Sequence, residues 1–170
     1  MKTDWEIFEK IVSVIQILLG ITIISVLIWS VNISISQIFE HSDYTWKDIS
    51  ILKLIKNHHF FTLLGLIGII GGIGWFKYKT FGWLLSFIFW FLLGFSTTLI
   101  TLKFKQQEPN VIRANEEYLI YFSTIFVSFF LAILLLLKTF WNKYNPTKKS
   151  LIIFGIILLA FIIDKIVLSE

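Results

Sequence analysis

Residues 81–102 read FGWLLSFIFWFLLGFSTTLITL, which is 22 residues without a charged side chain. A helix needs about 20 apolar residues to cross the hydrocarbon core of a bilayer. Lipid offers no partner to backbone N–H and C=O groups, so a segment of this kind must be helical to satisfy its own polar atoms. The stretch therefore predicts a transmembrane helix.

Four further apolar runs of similar length lie around it: Ile11–Val31, Phe60–Phe76, Tyr118–Leu137 and Leu151–Leu168. Hydrophobic residues make up 56% of the 170-residue chain and charged residues 15%, against about 25% charge in soluble domains. A chain of this length does not enclose so much apolar surface in a water-soluble core. We therefore expect one all-α domain, a polytopic transmembrane bundle of five spans in the cell membrane.

The N-terminal run is expected to be a retained span. Asp4, Glu6 and Glu9 interrupt the basic region that a signal peptide requires, and the run is longer than the apolar region of such a peptide. The abundance of Ile, Lys, Asn and Phe is typical of a low-GC bacterial gene. We accordingly expect a multi-pass protein of a bacterial inner membrane.

Lysines in two short loops predict the orientation. Lys77 and Lys79 lie in the second loop, and the fourth loop, residues 138–150, contains four lysines and no acid. Lys and Arg in short loops mark the cytoplasmic side. The total counts are close, with eight Lys and Arg on this side and seven on the other, so the density in the short loops decides. We expect a cytoplasmic N-terminus and a C-terminus outside.

Several kinds of chemistry are excluded by composition. The chain has no cysteine, which removes disulfides, thiolate metal sites and iron–sulfur clusters. His41, His58 and His59 lie outside the predicted spans and match no zinc motif, so we expect interfacial histidines without a metal. Glu116 and Glu117 are expected to be a solvated helix entrance rather than an acid–base pair, because acids favour helix N-termini. We predict no catalytic residue and no cofactor.

Glycines in the second run form a stripe. Gly65, Gly68 and Gly72 fall within about 60° of one helix face. Gly68 and Gly72 have the small-xxx-small spacing that lets two backbones approach closely. We expect this face to pack against a neighbouring helix of the same chain. An oligomer interface is the alternative.

Polar side chains within the spans are few. Gln16 is expected to form a hydrogen bond across helices, because an unpaired amide in hydrocarbon costs several kcal/mol; contact with a substrate is the alternative. Hydroxyls at the adjoining ends of the third and fourth runs predict facing ladders that join the two helices. The floor of a water-filled vestibule is the alternative. These hydroxyls belong to Thr97, Thr101, Thr124 and Ser128.

Charges near the run ends allow similar alternatives. Asp164 and Lys165 in the fifth run are expected to snorkel to the outer interface, with an ion pair towards the face of Gln16 as the alternative. The basic patch is expected to be the orientation signal. Anionic lipid headgroups or an acidic cytosolic protein are alternative partners, and nucleic acid is not expected. The basic patch consists of Lys77, Lys79, Lys138, Lys143, Lys148 and Lys149.

The long first loop, residues 32–59, contains two local patterns. Residues 45–48, Thr-Trp-Lys-Asp, resemble a capping box ahead of a surface helix over Ile49–Ile55. The alternation Ile33-Ser34-Ile35-Ser36 is compatible with a short extended stretch.

Three functional hypotheses follow. The first is a non-enzymatic membrane-embedded subunit that acts through helix association with itself or with a partner, as in bacterial defence, immunity or envelope assemblies. The second is a small oligomeric channel or transporter for a neutral solute or an ion. The third and weakest is an integral-membrane enzyme, because the sequence contains no nucleophile–base pair, metal set or phosphate loop at usable spacing.

Overall fold

The computed structural model describes the backbone of residues 4–41, 51–107 and 114–167. These residues form helices and contain no strand. The helices are α1 (Asp4–His41), α2 (Ile51–Phe76), α3 (Thr80–Gln107), α4 (Ala114–Leu135), α5 (Lys138–Tyr144) and α6 (Lys148–Val167). The expected all-helical architecture is confirmed.

Four helical segments are long and apolar enough to cross a membrane: Asp4–Ser36, His58–Phe76, Thr80–Lys103 and Tyr118–Leu135. They contain the first three predicted runs and most of the fourth, whose helix ends at Leu135 rather than at Leu137. They are compatible with a membrane protein. The fifth run forms α6, which is apolar through its middle. It is not among these four segments; Lys148 and Lys149 lie at one end of α6, and Asp164 and Lys165 lie near the other.

Helices α1 to α4 pack in chain order. Helix α2 lies between α1 and α3, α4 packs on the other side of α3, and α6 lies against α3 and touches α2. Helix α3 is therefore the most enclosed, and its residues Trp83, Ile88, Phe89, Trp90 and Leu92 form the centre of the apolar core.

The helices are longer than the apolar runs. Helix α1 continues to His41, so the extended conformation allowed for Ile33–Ser36 is wrong. Ser34 Oγ donates to the Ser30 carbonyl at 2.9 Å, as helical serines do. Four alternating residues are too few to stop a helix that is already propagating, because each added residue gains a backbone bond.

Helix α2 begins at Ile51, so residues 51–55 are its first turns and not a separate surface helix. The capping pattern at residues 45–48 lies outside the described residues. The fourth loop contains a helix, α5, that the sequence analysis treated as loop.

Candidate functional site

A buried polar site lies where α5 crosses one end of the bundle. Phe140 packs edge-on against Trp5 of α1 and Trp75 of α2, with ring centroids 5.4 Å and 6.4 Å away. Tyr144 stacks on Trp83 of α3 at 5.4 Å. We call this region the α5 end; it consists of the start of α1, the turn at residues 77–79, α5 and the start of α6. Aromatic rings thus fix α5 across three helices.

Glu9 is the fully buried charged side chain among the described residues, with 1% of its surface exposed. Its Oε2 forms an ion pair with Nζ of Lys143 on α5. Tyr144 donates its hydroxyl to Oε1 of the same carboxylate at 3.2 Å. A buried charge is tolerated only when it is paired and hydrogen-bonded, and two residues of α5 meet both needs.

Tyr144 is a hydrogen-bond donor over a wide pH range. Burial, followed by the negative charge of Glu9, raises the pKa of Tyr144 well above its ordinary value of 10.0. The phenol therefore stays protonated and continues to donate to the Glu9 carboxylate.

The turn between α2 and α3 contributes a second contact to this site. Tyr78 has a φ of +54°. This is a left-handed conformation, and the residue that adopts it at the end of a helix is usually glycine. Its amide donates to the Trp75 carbonyl at 2.8 Å, which ends α2. The Tyr78 ring lies under two cations, with Lys143 Nζ 4.5 Å and Lys10 Nζ 5.9 Å from its centroid. The two cation–π contacts offset part of the backbone strain.

A polar face of α1 leads inward from Glu9. Ser13 and Gln16 follow at spacings of one and two helical turns, and both are fully buried. Gln16 Nε2 donates to the Gly68 carbonyl of α2 at 3.0 Å, which is a hydrogen bond between helices. Ser13 Oγ, Gln16 Oε1 and Ser86 Oγ of α3 are buried without a hydrogen-bond partner among the described residues.

The predicted glycine stripe lies inside the chain. A Cβ on Gly65 would stand 3.1 Å from the Gly20 carbonyl oxygen, and one on Gly72 would stand 3.0 Å from that of Ser13, so both glycines permit close contact with α1. A Cβ on Gly68 would meet the ring of Phe89 on α3 at 2.7 Å. Residues of the same chain thus occupy this glycine face.

Helices α2 and α3 approach each other still more closely beside the turn that joins them. The sequence pattern did not predict this contact. A Cβ on Gly82 would overlap the backbone of Gly74 and Trp75. The signal for this contact was the pair of glycines, Gly74 and Gly82, on either side of the turn at residues 77–79 and eight positions apart.

The hydroxyls of α3 and α4 do not form facing ladders. Thr97 donates to the Leu93 carbonyl and Thr101 to the Thr97 carbonyl, each at 2.8 Å within α3. Thr124 donates to the Ile120 carbonyl at 2.8 Å within α4. Each threonine therefore satisfies its hydroxyl on its own helix.

Ser128 marks the close contact of α3 with α4. It is fully buried, and a Cβ on Gly94 would lie 3.2 Å from its Cβ, which shows how near the helices are. Nearer the α5 end, Trp83 Nε1 donates to the Leu135 carbonyl at 3.0 Å. Small side chains and one indole bond, rather than hydroxyl ladders, join these helices.

Asp164 has a partner at the opposite end of the bundle. Both of its carboxylate oxygens lie 2.8 Å from Nε2 of His59 on α2. The Nζ of Lys165 lies 4.8 Å and 4.9 Å from the ring centroids of Phe60 and Phe61. The pair is thus with a histidine and not with the face of Gln16, and it joins the far end of α6 to α2.

The six lysines of the basic patch differ in their surroundings. Lys143 forms an ion pair with Glu9, and its ammonium group lies over the Tyr78 ring, so its charge interacts with groups of the same chain. The other five are exposed at the α5 end: Lys77, Lys79, Lys138, Lys148 and Lys149. The segments that carry them contain no acid.

Glu9 and Lys143 were not predicted to meet. Glu9 has the i, i+4, i+7 spacing with Ser13 and Gln16 that indicates one helix face, which was the available signal. Its partner lies 134 residues away, and no local pattern identifies such a contact. Within the described residues no three His, Asp or Glu side chains are grouped closely enough to hold a metal ion.

Comparison with protein-family models, with curated proteins and with solved structures finds no match to this chain.

Proposed function

We propose that the protein is a five-span membrane protein that acts as a non-enzymatic subunit, through helix contacts with a second copy or with a partner membrane protein. The observation that carries this proposal is that several interior polar side chains already have partners within the chain. Glu9 pairs with Lys143, Gln16 donates to Gly68, and the threonines of α3 and α4 bond to their own helices. The outer surface is then the part of the molecule that remains for contact with others.

The length and packing of α6 support a fifth span. The helix has 20 residues and is therefore about 30 Å long, the thickness of a hydrocarbon core. It lies against α3 near the α5 end, and its other end reaches His59 of α2. Lysines at its first positions can snorkel, and the contact with His59 lowers the cost of placing Asp164 near the hydrocarbon.

The same end of the molecule supports an orientation in the membrane. The α5 end gathers five exposed lysines beside short connections, which favours the cytoplasmic side. We place the N-terminus in the cytoplasm and the C-terminus outside.

Helix α4 offers the face best suited to a partner helix. Its phenylalanines Phe122, Phe126 and Phe130 are spaced four residues apart and are 72%, 66% and 51% exposed. Rings at this spacing form one stripe along the helix, and Phe126 stacks on Phe130 at 6.1 Å. Apolar anchors at i, i+4 and i+8 are typical of faces that bind another helix.

Site-specific photocrosslinking in the native membrane tests this proposal. A photoreactive phenylalanine analogue at Phe126 is expected to give an adduct with a protein. The control position is Ile156 on the outer face of α6, which is 64% exposed and is expected to give lipid adducts. Lipid adducts alone at both positions would contradict the subunit proposal.

Conduction remains a second candidate because of one observation. Ser13 Oγ, Gln16 Oε1 and Ser86 Oγ are buried polar atoms without partners among the described residues, and such groups often hold internal water. Flux through liposomes that contain the purified protein alone, lost in Gln16→Leu, would favour conduction. No flux above that of empty liposomes would leave the subunit proposal as the better account.

A further inference from the structure

An apolar cleft lies between the first halves of α3 and α6, near the α5 end. Phe81, Leu84, Leu85 and Ile88 line it from α3, and Ser150, Ile153, Phe154 and Ile157 line it from α6. The cleft has a volume of about 270 Å³. Its wall runs along α6 from Ser150 to Ile157, a length of about 10 Å at a rise of about 1.5 Å per residue. It can thus hold part of one chain-like apolar ligand lying along the helices.

The lining is apolar except at the mouth. Ser150 is the polar residue among those that line the cleft, and it lies in the first turn of α6. The hydroxyl of Thr147 accepts a hydrogen bond from the Ser150 amide at 3.2 Å, which caps the helix. The chemistry of the cleft therefore changes from hydrocarbon to polar at the α5 end.

Lysines lie close in sequence to the lining residues of both walls. Lys79 lies two residues before Phe81, and Lys148 and Lys149 immediately precede Ser150. Thr80 Oγ1 donates to the Tyr144 carbonyl at 3.0 Å, which holds the start of α3 beside the connection that leads into α6. Residues 77–88 and 145–157 contain no Asp or Glu. The three exposed lysines thus flank the cleft along the chain, in segments that contain no acid, and we call them the rim.

The start of α6 favours an anion for a second reason. The N-terminus of a helix carries a partial positive charge and stabilises negative groups. Helix α6 begins with two lysines and has no acid in its first turn, so its charges oppose the helix dipole. A bound phosphate would interact favourably with the lysines and with the helix end together.

We propose that the α3–α6 cleft binds an anionic glycerophospholipid. One acyl chain occupies the apolar cleft, and the headgroup phosphate lies at the rim formed by Lys79, Lys148 and Lys149. The proposal rests on the placement of α6 within the membrane under the proposed function. Each lysine near an anionic lipid contributes about 1 kcal/mol, so the loss of two lysines is expected to weaken binding roughly ten- to thirtyfold.

Native mass spectrometry of the full chain in detergent tests the proposal. The probes are phosphatidylglycerol and phosphatidylcholine with identical acyl chains. We expect the wild type to bind the anionic lipid more tightly. The variant Lys148→Gln/Lys149→Gln is expected to lose most of that preference, while Lys138→Gln, an exposed lysine that does not line the cleft, keeps it. Equal binding of the two lipids, or equal behaviour of the double variant and Lys138→Gln, would overturn the proposal.

Two further experiments distinguish the role of the apolar cleft from that of the lysines. Ile153→Trp fills the cleft and leaves the lysines in place, so it is expected to reduce retention of the anionic lipid. Inorganic phosphate is expected to compete weakly, because it lacks an acyl chain; competition as strong as that of the lipid would overturn the role of the cleft. Cysteine labelling at the two ends of α6, described below, reports separately on whether α6 crosses the membrane.

Discussion

The amino group of Lys143 forms an ion pair with the buried carboxylate of Glu9, 134 residues earlier in the chain. The pair fixes α5 over the start of α1. Its two members differ in exposure, because the Lys143 side chain is 33% exposed and that of Glu9 is 1% exposed. Removal of one member therefore does not cost the same as removal of the other.

Lys143→Met is expected to be the more destabilising change at this pair, since it leaves the Glu9 carboxylate buried without its cation. We expect a loss of about 2–3 kcal/mol, below the value for fully buried pairs because the lysine is partly exposed. Glu9→Gln should cost about 1 kcal/mol, because the amide is neutral and still accepts from Tyr144. Unfolding in detergent measures both losses. A cost for Lys143→Met no greater than that for Lys138→Met would contradict the role of the pair.

The raised pKa of Tyr144 leads us to expect a loss of folding stability at alkaline pH. Its pKa is raised in the folded chain by burial and then by Glu9, so the folded state keeps a proton that the unfolded state releases. The stabilising contribution is complete below the unfolded pKa of about 10 and declines as the pH rises above it. Tyr144→Phe should show a shallower decline between about pH 10 and 11 than the wild type. Unfolding at several pH values, with Tyr118→Phe on α4 as the control, measures the slope; equal slopes for wild type and Tyr144→Phe would refute the prediction.

Gly82→Ala is expected to prevent normal packing of α2 with α3. The added Cβ would overlap the backbone of Gly74 and Trp75, which has no flexible side chain to move aside. We expect destabilisation of more than about 3 kcal/mol. The matched control is Gly155→Ala on α6, where a Cβ meets nothing within 4 Å. That change should be neutral or stabilising by up to about 1 kcal/mol, since alanine favours helix. Thermal unfolding in detergent compares the two variants, and similar melting temperatures would contradict the packing described for Gly82.

Asp164→Ala is expected to loosen the far end of α6. The change removes the contact with His59, which lies at 2.8 Å and is about one quarter exposed, so we expect a cost of about 1 kcal/mol. Hydrogen–deuterium exchange should increase about fivefold in the last turns of α6. Ile166→Ala, an exposed residue of the same turns, serves as the control. Unchanged exchange in Asp164→Ala would show that the contact does not hold α6.

Apolar run length predicts most of the helical architecture. The run at 81–102 forms the most enclosed helix. The turn at residues 77–79 coincides with the two lysines that separate the second run from the third. Run length did not reveal where the helices end, because α1, α2 and α3 continue as polar helix beyond the hydrocarbon-length segments. It also missed α5, whose Phe140 and Tyr144 are one turn apart and face the bundle together.

The contacts of the candidate site depend on tertiary structure. The spacing of Glu9, Ser13 and Gln16 identifies a polar face of α1, but only the packing of α5 identifies Lys143 and Tyr144 as partners of Glu9. For Asp164, the sequence allowed a partner on the face of Gln16, whereas the direction of α6 brings it to His59. Threonine spacing likewise predicted ladders, while local bonds to the i−4 carbonyl satisfied the same hydroxyls.

We predict that α6 crosses the membrane as a fifth span and that the lysine-rich α5 end lies in the cytoplasm. Since the chain has no cysteine, Asn145→Cys and Ser169→Cys each provide a single label site, one before α6 and one after it in the sequence. In intact cells, a membrane-impermeant maleimide is expected to label Ser169→Cys, and to label Asn145→Cys only after permeabilisation. Labelling of both sites from the same side of the membrane would show that α6 does not cross and would contradict the account.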